Sequence, residues 1–225
     1  EKLGHTVLII NTKNVNEIIN TCNNFNPDFV HIQYDEFWEL CDRFNCKNVA
    51  ITSHYGYITQ KHKHGDYSKI FNGFLSKKVK LFALSPEIAT FYKQHNYPEN
   101  KIFVIPNGVR SDLFNYSSHC LYSNNSICLA KIEDRKRQYL IQDDTSICFA
   151  GNIVDKRYKK QNYLGEWNKD CLYKNLTNYA NLILLSDGEA HPLVCMEGMV
   201  SGLGLVLSEY ATANLDLSLP FIDVV

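Results

Sequence analysis

Two glutamates with seven residues between them, Glu189 and Glu197, mark the stretch of this chain best suited to chemistry: N-L-I-L-L-S-D-G-E-A-H-P-L-V-C-M-E-G-M-V, residues 181–200. N-L-I-L-L-S is a short, unbroken apolar run, of a length that suits a buried parallel strand and not a globular helix. A polar loop, Asp187 to His191, follows. Pro192 then stands where a helix would start, its missing N–H among the donors that lack a helical partner anyway. Leu193, Met196, Met199 and Val200 are spaced for one helical face, and Gly202 ends the helix before a second strand, G-L-V-L-S. The N–H groups at such a helix start, with the positive end of the helix dipole, make a place for a phosphate. Glu189 ahead of the helix and Glu197 in its second turn are placed to accept hydrogen bonds from hydroxyls on either side of that phosphate. A nucleotide-sugar has that layout. Read more plainly, the stretch is a β-α-β unit with two solvated glutamates.

Upstream, the short apolar run S-I-C-L-A delivers Lys131 and, five residues on, Lys136, expected at the start of a helix. Arg135 and Arg137 in E-D-R-K-R read as a solvated first turn. Asn107-Gly108 makes a tight turn after F-V-I-P, which presents backbone and the Asn amide at a strand end. Gly151-Asn152 does the same after I-C-F-A. His31 and Gln33 follow F-V-H-I, and His54 follows V-A-I-T-S. His62 and His64 lie in K-H-K-H-G-D, where no Cys or carboxylate cluster accompanies them, so a polar loop is expected there and not a metal site.

The elements that must position these residues alternate in type. Strands are expected over Thr6–Asn11, Asp28–Ile32, Asn48–Ser53, Val79–Leu84 and Lys101–Ile105, with helices over Val15–Phe25, Glu36–Phe44, about Tyr67–Ser76 and Pro86–His95. Ser85 is an N-cap and Pro86 a first-turn proline. The second half repeats the alternation, with strands after Ser126, Ile147 and Asn181, another in N-Y-L-G-E-W, and a helix over Lys169–Tyr179. Alternation of this kind predicts an α/β fold of parallel sheets covered on both faces, whose ligands bind at the C-terminal ends of the strands. The expected organisation is an N-terminal Rossmann-like lobe over 1–105, a Ser- and Asn-rich linker over 106–125 and a second Rossmann-like lobe over 126–225.

The chain has 225 residues, enough for one large or two small domains. A net charge of −1 offers no electrostatic reason to expect nucleic acid as a partner. Eight cysteines without C-x-x-C pairs, and no secretory signal, read as reduced thiols in the cytoplasm. No apolar run approaches the ~20 residues of a membrane span. Glu1 in place of an initiator Met, and a strand-like run at each end, lead us to expect a fragment.

S-D-G-E-A-H-P-L-V-C-M-E-G-M-V-S-G-L-G-L-V resembles the E-x7-E signature of retaining GT-B glycosyltransferases, above all family 4. His191-Pro192 stands where that family usually has Phe-Gly, Gly198 where it has Ala, and Gly204 where it has Pro. K-I-F-V-I-P-N-G-V-R-S-D-L-F is similar to the family's segment at the lobe junction, L-A-K-I-E-D-R-K-R to its V-G-R-L-x-x-x-K-G, I-T-S-H-Y-G to its T-x-H strand end, and L-G-H-T-V-L-I-I to its R-G-H-x-V-x-V. The resemblance implies two Rossmann-like lobes facing a cleft and a metal-independent, cofactor-free transfer. A sugar moves with retention from a nucleoside-diphosphate donor to an acceptor hydroxyl on a glycan, lipid-linked or small molecule, with possible peripheral membrane contact. By the same resemblance Lys131 and Lys136 hold the diphosphate, Glu189 the donor sugar and Glu197 the ribose. His191, Leu193 and Val194 line the donor at the helix start; Asn107, Gly108 and Gly151 belong to the donor side, and His54 sits near the sugar and acceptor. The base is expected near Tyr163–Trp167. The alternative is a catalytically degenerate module that binds a nucleotide-sugar without turning it over.

Overall fold

The computed structural model describes residues 3–54 and 67–225. The chain divides into two compact units that separate between Ile105 and Pro106. The histidines at 62 and 64 lie outside the described residues.

In the first unit, helix α1 spans Val15–Phe25. Asn14 starts it by accepting the N–H groups of Asn16 and Glu17, and Asn26 ends it in the left-handed region at φ 49°. Strands β1 (Val30–Ile32), β2 (Val49–Ser53), β3 (Lys80–Ala83) and β4 (Ile102–Val104) form a parallel sheet in that order. All five residues of β2 are buried, as an inner strand covered on both faces requires. Helix α2 (Tyr67–Lys77) leads into β3, and α3 (Pro86–Gln94) starts on the Ser85 cap, whose hydroxyl accepts from Ile88 N–H at 3.2 Å.

Two expectations fail in this unit. Thr6–Asn11 joins no sheet: Val7 is 55% exposed and Ile9 83%, and a groove of ≈1590 Å³ runs between this segment and Phe29–Gln33 beside it. A β-branched run becomes a strand only where a partner takes up its backbone hydrogen bonds, and among the described residues β1 pairs only with β2. Glu36–Phe44 is a kinked 3-10 segment over Asp35–Asp42, not an α-helix. The buried Asp35 carboxylate at its start accepts the His54 N–H at 3.0 Å, and the kink falls at Phe37.

The second unit holds β5 (Tyr122–Leu129), β6 (Ile147–Ala150), β7 (Tyr179–Leu184), β8 (Gly204–Leu207) and β9 (Ile222–Val224), all parallel, in the order β6-β5-β7-β8-β9. Helices α4 (Lys169–Asn175) and α5 (Leu193–Val200) precede β7 and β8. Alternate residues of β5 feed separate clusters. Ile127 joins Leu182, Leu184, Cys195 and Leu205, whereas Cys128 joins Ile132, Phe149 and Tyr158. After β6 the chain reverses direction across the sheet, so β5 and β7 flank the topological switch point, where open α/β sheets bind their ligands.

Positive-φ residues explain two further departures. Lys136 closes a 3-10 turn, Asp134–Lys136, instead of opening a helix, because Arg137 follows in the left-handed region at φ 56°. N-Y-L-G-E-W forms no strand, since Asn162 and Gly165 have φ of 53° and 86°. It keeps a single bridge, Tyr163 to Phe149. Among the described residues no helix is long and apolar enough to cross a membrane.

Candidate active site

The loops that leave the C-terminal ends of β5 and β7 meet at the switch point. Lys136, from the first loop, forms an ion pair with Glu189, from the second, and the two side chains are 12% and 14% exposed. Burial pushes the Glu189 carboxyl up, but the charge and hydrogen bond of Lys136, the Ser186 hydroxyl and the Arg135 guanidinium outweigh it, so its pKa lies below the ordinary value. Lys131 pairs with Glu133 at 3.0 Å. Glu133 in turn holds Arg135 at 3.2 Å, and Arg135 reaches Glu189 at 3.3 Å. Lys131 is therefore linked to Glu189 and Lys136 by a chain of alternating charges.

The arginines that read as solvated in the sequence belong to this cluster. Arg137 donates to Asp187 at 2.5 Å, and the Asp187 N–H donates to the Arg135 carbonyl at 2.9 Å. The signal that could have marked them is charge complementarity between E-D-R-K-R and S-D-G-E, about fifty residues apart and joined only when β5 and β7 pair.

Helix α5 starts at Leu193 with Pro192 as its N-cap and no side-chain cap. His191 is buried, and burial lowers its pKa. Asn107 donates twice to it, from its backbone N–H to Nδ1 at 2.9 Å and from its side-chain amide to the His191 carbonyl at 3.0 Å. Gly108 has open space around it. Gly151 does not: at φ +141°, a Cβ there would lie 2.0 Å from the Ala130 carbonyl oxygen, beside Lys131. Glu197 is buried in α5 and accepts from Lys169 at 2.8 Å, a partner that the sequence did not single out. Tyr163 donates its hydroxyl to the Gly151 carbonyl at 2.9 Å, and Trp167 packs on the core.

The first unit has its own polar group at the ends of β1 and β2. His31 Nε2 lies 2.7 Å from the Thr52 hydroxyl and its Nδ1 3.2 Å from the Gln33 amide. The pKa values of His31 and His54 are both lowered by desolvation. Asp35, not singled out from the sequence, is 3% exposed, and burial pushes it up to about 7 against the pull of the His54 N–H. Among the described residues no group of three or more His, Cys, Asp or Glu side chains converges to hold a metal ion.

Residues 3–113 match the family model described as Glycosyltransferase Family 4. The match covers the described part of the first unit and runs on through Asn107 and Gly108. No curated protein is significantly similar in sequence. Among solved structures, Anabaena HepE in complex with UDP and glucose is similar over 88% of this chain and 63% of its own, with TM-score 0.69 and 14% identity. TarM is similar over 92% and 47%, with TM-score 0.62 and 13% identity. Sucrose-phosphate synthase from Thermosynechococcus elongatus is similar over 88% and 63%, with TM-score 0.62 and 12% identity. The chain thus has the α/β fold of GT-B glycosyltransferases and spans about half to two thirds of the length of these structures.

Proposed function

We propose that the chain takes part in transferring a sugar, with retention, from a nucleoside-diphosphate-sugar to an acceptor hydroxyl. The observation that carries this reading is the meeting of Lys136 and Glu189 at the switch point of the second sheet, beside the uncapped start of α5. In this reading Lys136 and Lys131 take up the charge of the departing diphosphate, helped by the Leu193 and Val194 N–H groups. The acceptor oxygen bonds to the anomeric carbon as the bond to the diphosphate breaks, and the leaving phosphate takes the acceptor proton. The reaction so described does not call for a metal. Glu189 holds sugar hydroxyls and Glu197 those of the ribose, so the Lys136–Glu189 and Lys169–Glu197 pairs are partly exchanged for donor contacts on binding. His54 is assigned to the sugar and acceptor side on the first unit.

Uridine is the base to test first, because the HepE structure contains UDP. A thermal-shift series with UDP, GDP and ADP and their sugar conjugates, without added metal, tests the reading. A ligand at ~100 times its dissociation constant stabilises the fold by about 2.7 kcal/mol. A shift with one base that is lost in Glu197→Ala supports the donor site, and no shift with any of them refutes it. The second reading, a module that binds without turnover, draws on Pro192, which removes one N–H from the helix start. Binding of the sugar conjugate without release of its sugar would favour it.

A further inference from the structure

We propose that Arg135 is a positioning residue that sets the places of Glu189, Lys136 and Lys131 relative to one another; the purpose of that arrangement rests on the donor-site reading above. Its guanidinium is the centre of the charge cluster. Nη1 donates to the Ser186 hydroxyl at 3.1 Å, to the Gly188 carbonyl at 2.5 Å and to Glu189 Oε1 at 3.3 Å. Nη2 donates to Glu133 Oε1 at 3.2 Å, while Glu133 Oε2 holds Lys131 at 3.0 Å.

One planar group therefore grips a hydroxyl, a main-chain carbonyl and two carboxylates. Each carboxylate carries one of the two lysines assigned to the diphosphate. Lys136 meets Glu189 on the same oxygen, Oε1, that Arg135 reaches. A lysine at 135 would keep the charge but not the fixed fork, because an ammonium is a point charge on a flexible stem. The Arg135 side chain is 26% exposed, so the contacts are shielded but reachable.

The backbone keeps the two loops together without this side chain. The Asp187 N–H donates to the Arg135 carbonyl at 2.9 Å and the Glu189 N–H to the Tyr210 carbonyl at 3.0 Å, and neither bond needs the guanidinium. Removing the guanidinium thus leaves Glu189 to Lys136 and Glu133 to Lys131, with nothing joining the two pairs, while the loops stay in place. That separates positioning from folding.

The test uses Arg135→Gln and Arg135→Lys in the full chain, with three readouts. The first is the Glu189 carboxyl titration in nucleotide-free protein, followed by NMR with labelled glutamate. The second is UDP affinity by calorimetry, and the third is the unfolding midpoint. Arg135→Gln is expected to raise the Glu189 titration midpoint and weaken UDP binding about 10-fold, with little change in unfolding. Arg135→Lys is expected to recover less than half of the lost affinity. A Glu189 titration unmoved in Arg135→Gln overturns the proposal, as does full recovery of UDP affinity by lysine, since charge alone would then suffice. If wild type binds no UDP, the donor reading fails, and the Glu189 titration of the two variants still decides the role of Arg135. If Arg135→Gln does not fold, Arg135→Lys carries the same comparison.

Discussion

Asn107 fixes the tautomer of His191. Its backbone N–H donates to Nδ1 at 2.9 Å, so the neutral ring carries its proton on Nε2. The side-chain amide of Asn107 holds the His191 carbonyl at 3.0 Å and fixes the backbone from which the ring departs. Eighty-four residues separate the two partners. Their pairing ties the segment Pro106-Asn107-Gly108, where a tight turn was expected and none forms, to the start of α5.

The two contacts differ in what their loss leaves behind. Asn107→Ala removes only the amide donation and should cost about 1 kcal/mol, a net hydrogen bond. His191→Phe removes the acceptor of a backbone N–H and should cost more, about 1–3 kcal/mol. Chemical denaturation of both variants measures this, and equal losses would show that the Nδ1 contact contributes nothing.

Asp35 predicts a pH dependence. Burial raises its pKa from the ordinary carboxylate range to about 7, so the folded state holds a proton there that the unfolded state has already released. Stability from this group is fully present below pH ~4 and is lost as pH rises to about 7. Asp35→Asn cannot ionise, so it should gain on wild type across that window, by up to about 4 kcal/mol at pH 8 at 1.36 kcal/mol per pKa unit. Unfolding midpoints at pH 4, 6 and 8 test it. A difference that stays constant with pH would mean that Asp35 titrates normally.

Lys136 and Glu189 form a pair shielded from water, so removing one partner leaves the other charge poorly solvated. Lys136→Ala should destabilise the chain by about 2–4 kcal/mol and raise the Glu189 pKa, despite the nearby Arg135. If sugar transfer is detected, Lys136→Ala and Glu189→Ala should each reduce it at least ~10-fold, about 1.4 kcal/mol in the barrier. Transfer at the wild-type rate in both variants would remove these residues from the site.

Two glycines separate steric need from tolerance. Gly151→Ala would drive a methyl to 2.0 Å from the Ala130 carbonyl oxygen at φ +141°, and should cost more than ~2 kcal/mol. Gly108→Ala meets nothing within 4 Å and should stay within about 1 kcal/mol of wild type. Thermal unfolding of the pair is sufficient, with equal midpoints counting against the crowding at Gly151.

Local signals determined much of this protein. The Ser85 cap and the helical pattern of Val15–Phe25 place α3 and α1 almost to the residue, because caps and periodicity act within a few residues of chain. The apolar runs of β2 and β7 were legible for the same reason, as were Lys136, Glu189 and Asn107 as candidates; the tight turn expected at Asn107-Gly108 is absent.

Tertiary structure alone decided what depends on a partner distant in sequence. Thr6–Asn11 has the composition of a strand and forms none, because no strand among the described residues takes up its backbone hydrogen bonds. Arg135 and Arg137 look like a solvated turn until β5 and β7 pair and bring Ser186–Glu189 against them. Asp35 looks like an ordinary surface carboxylate until the end of β2 buries it and supplies the His54 N–H. Glu197, a candidate from its spacing, acquires Lys169 only through the approach of α4 to α5. A sequence carries residue types and spacings; desolvation and long-range ion pairing, which set the charge state of each candidate, arise only when separate segments are brought into contact.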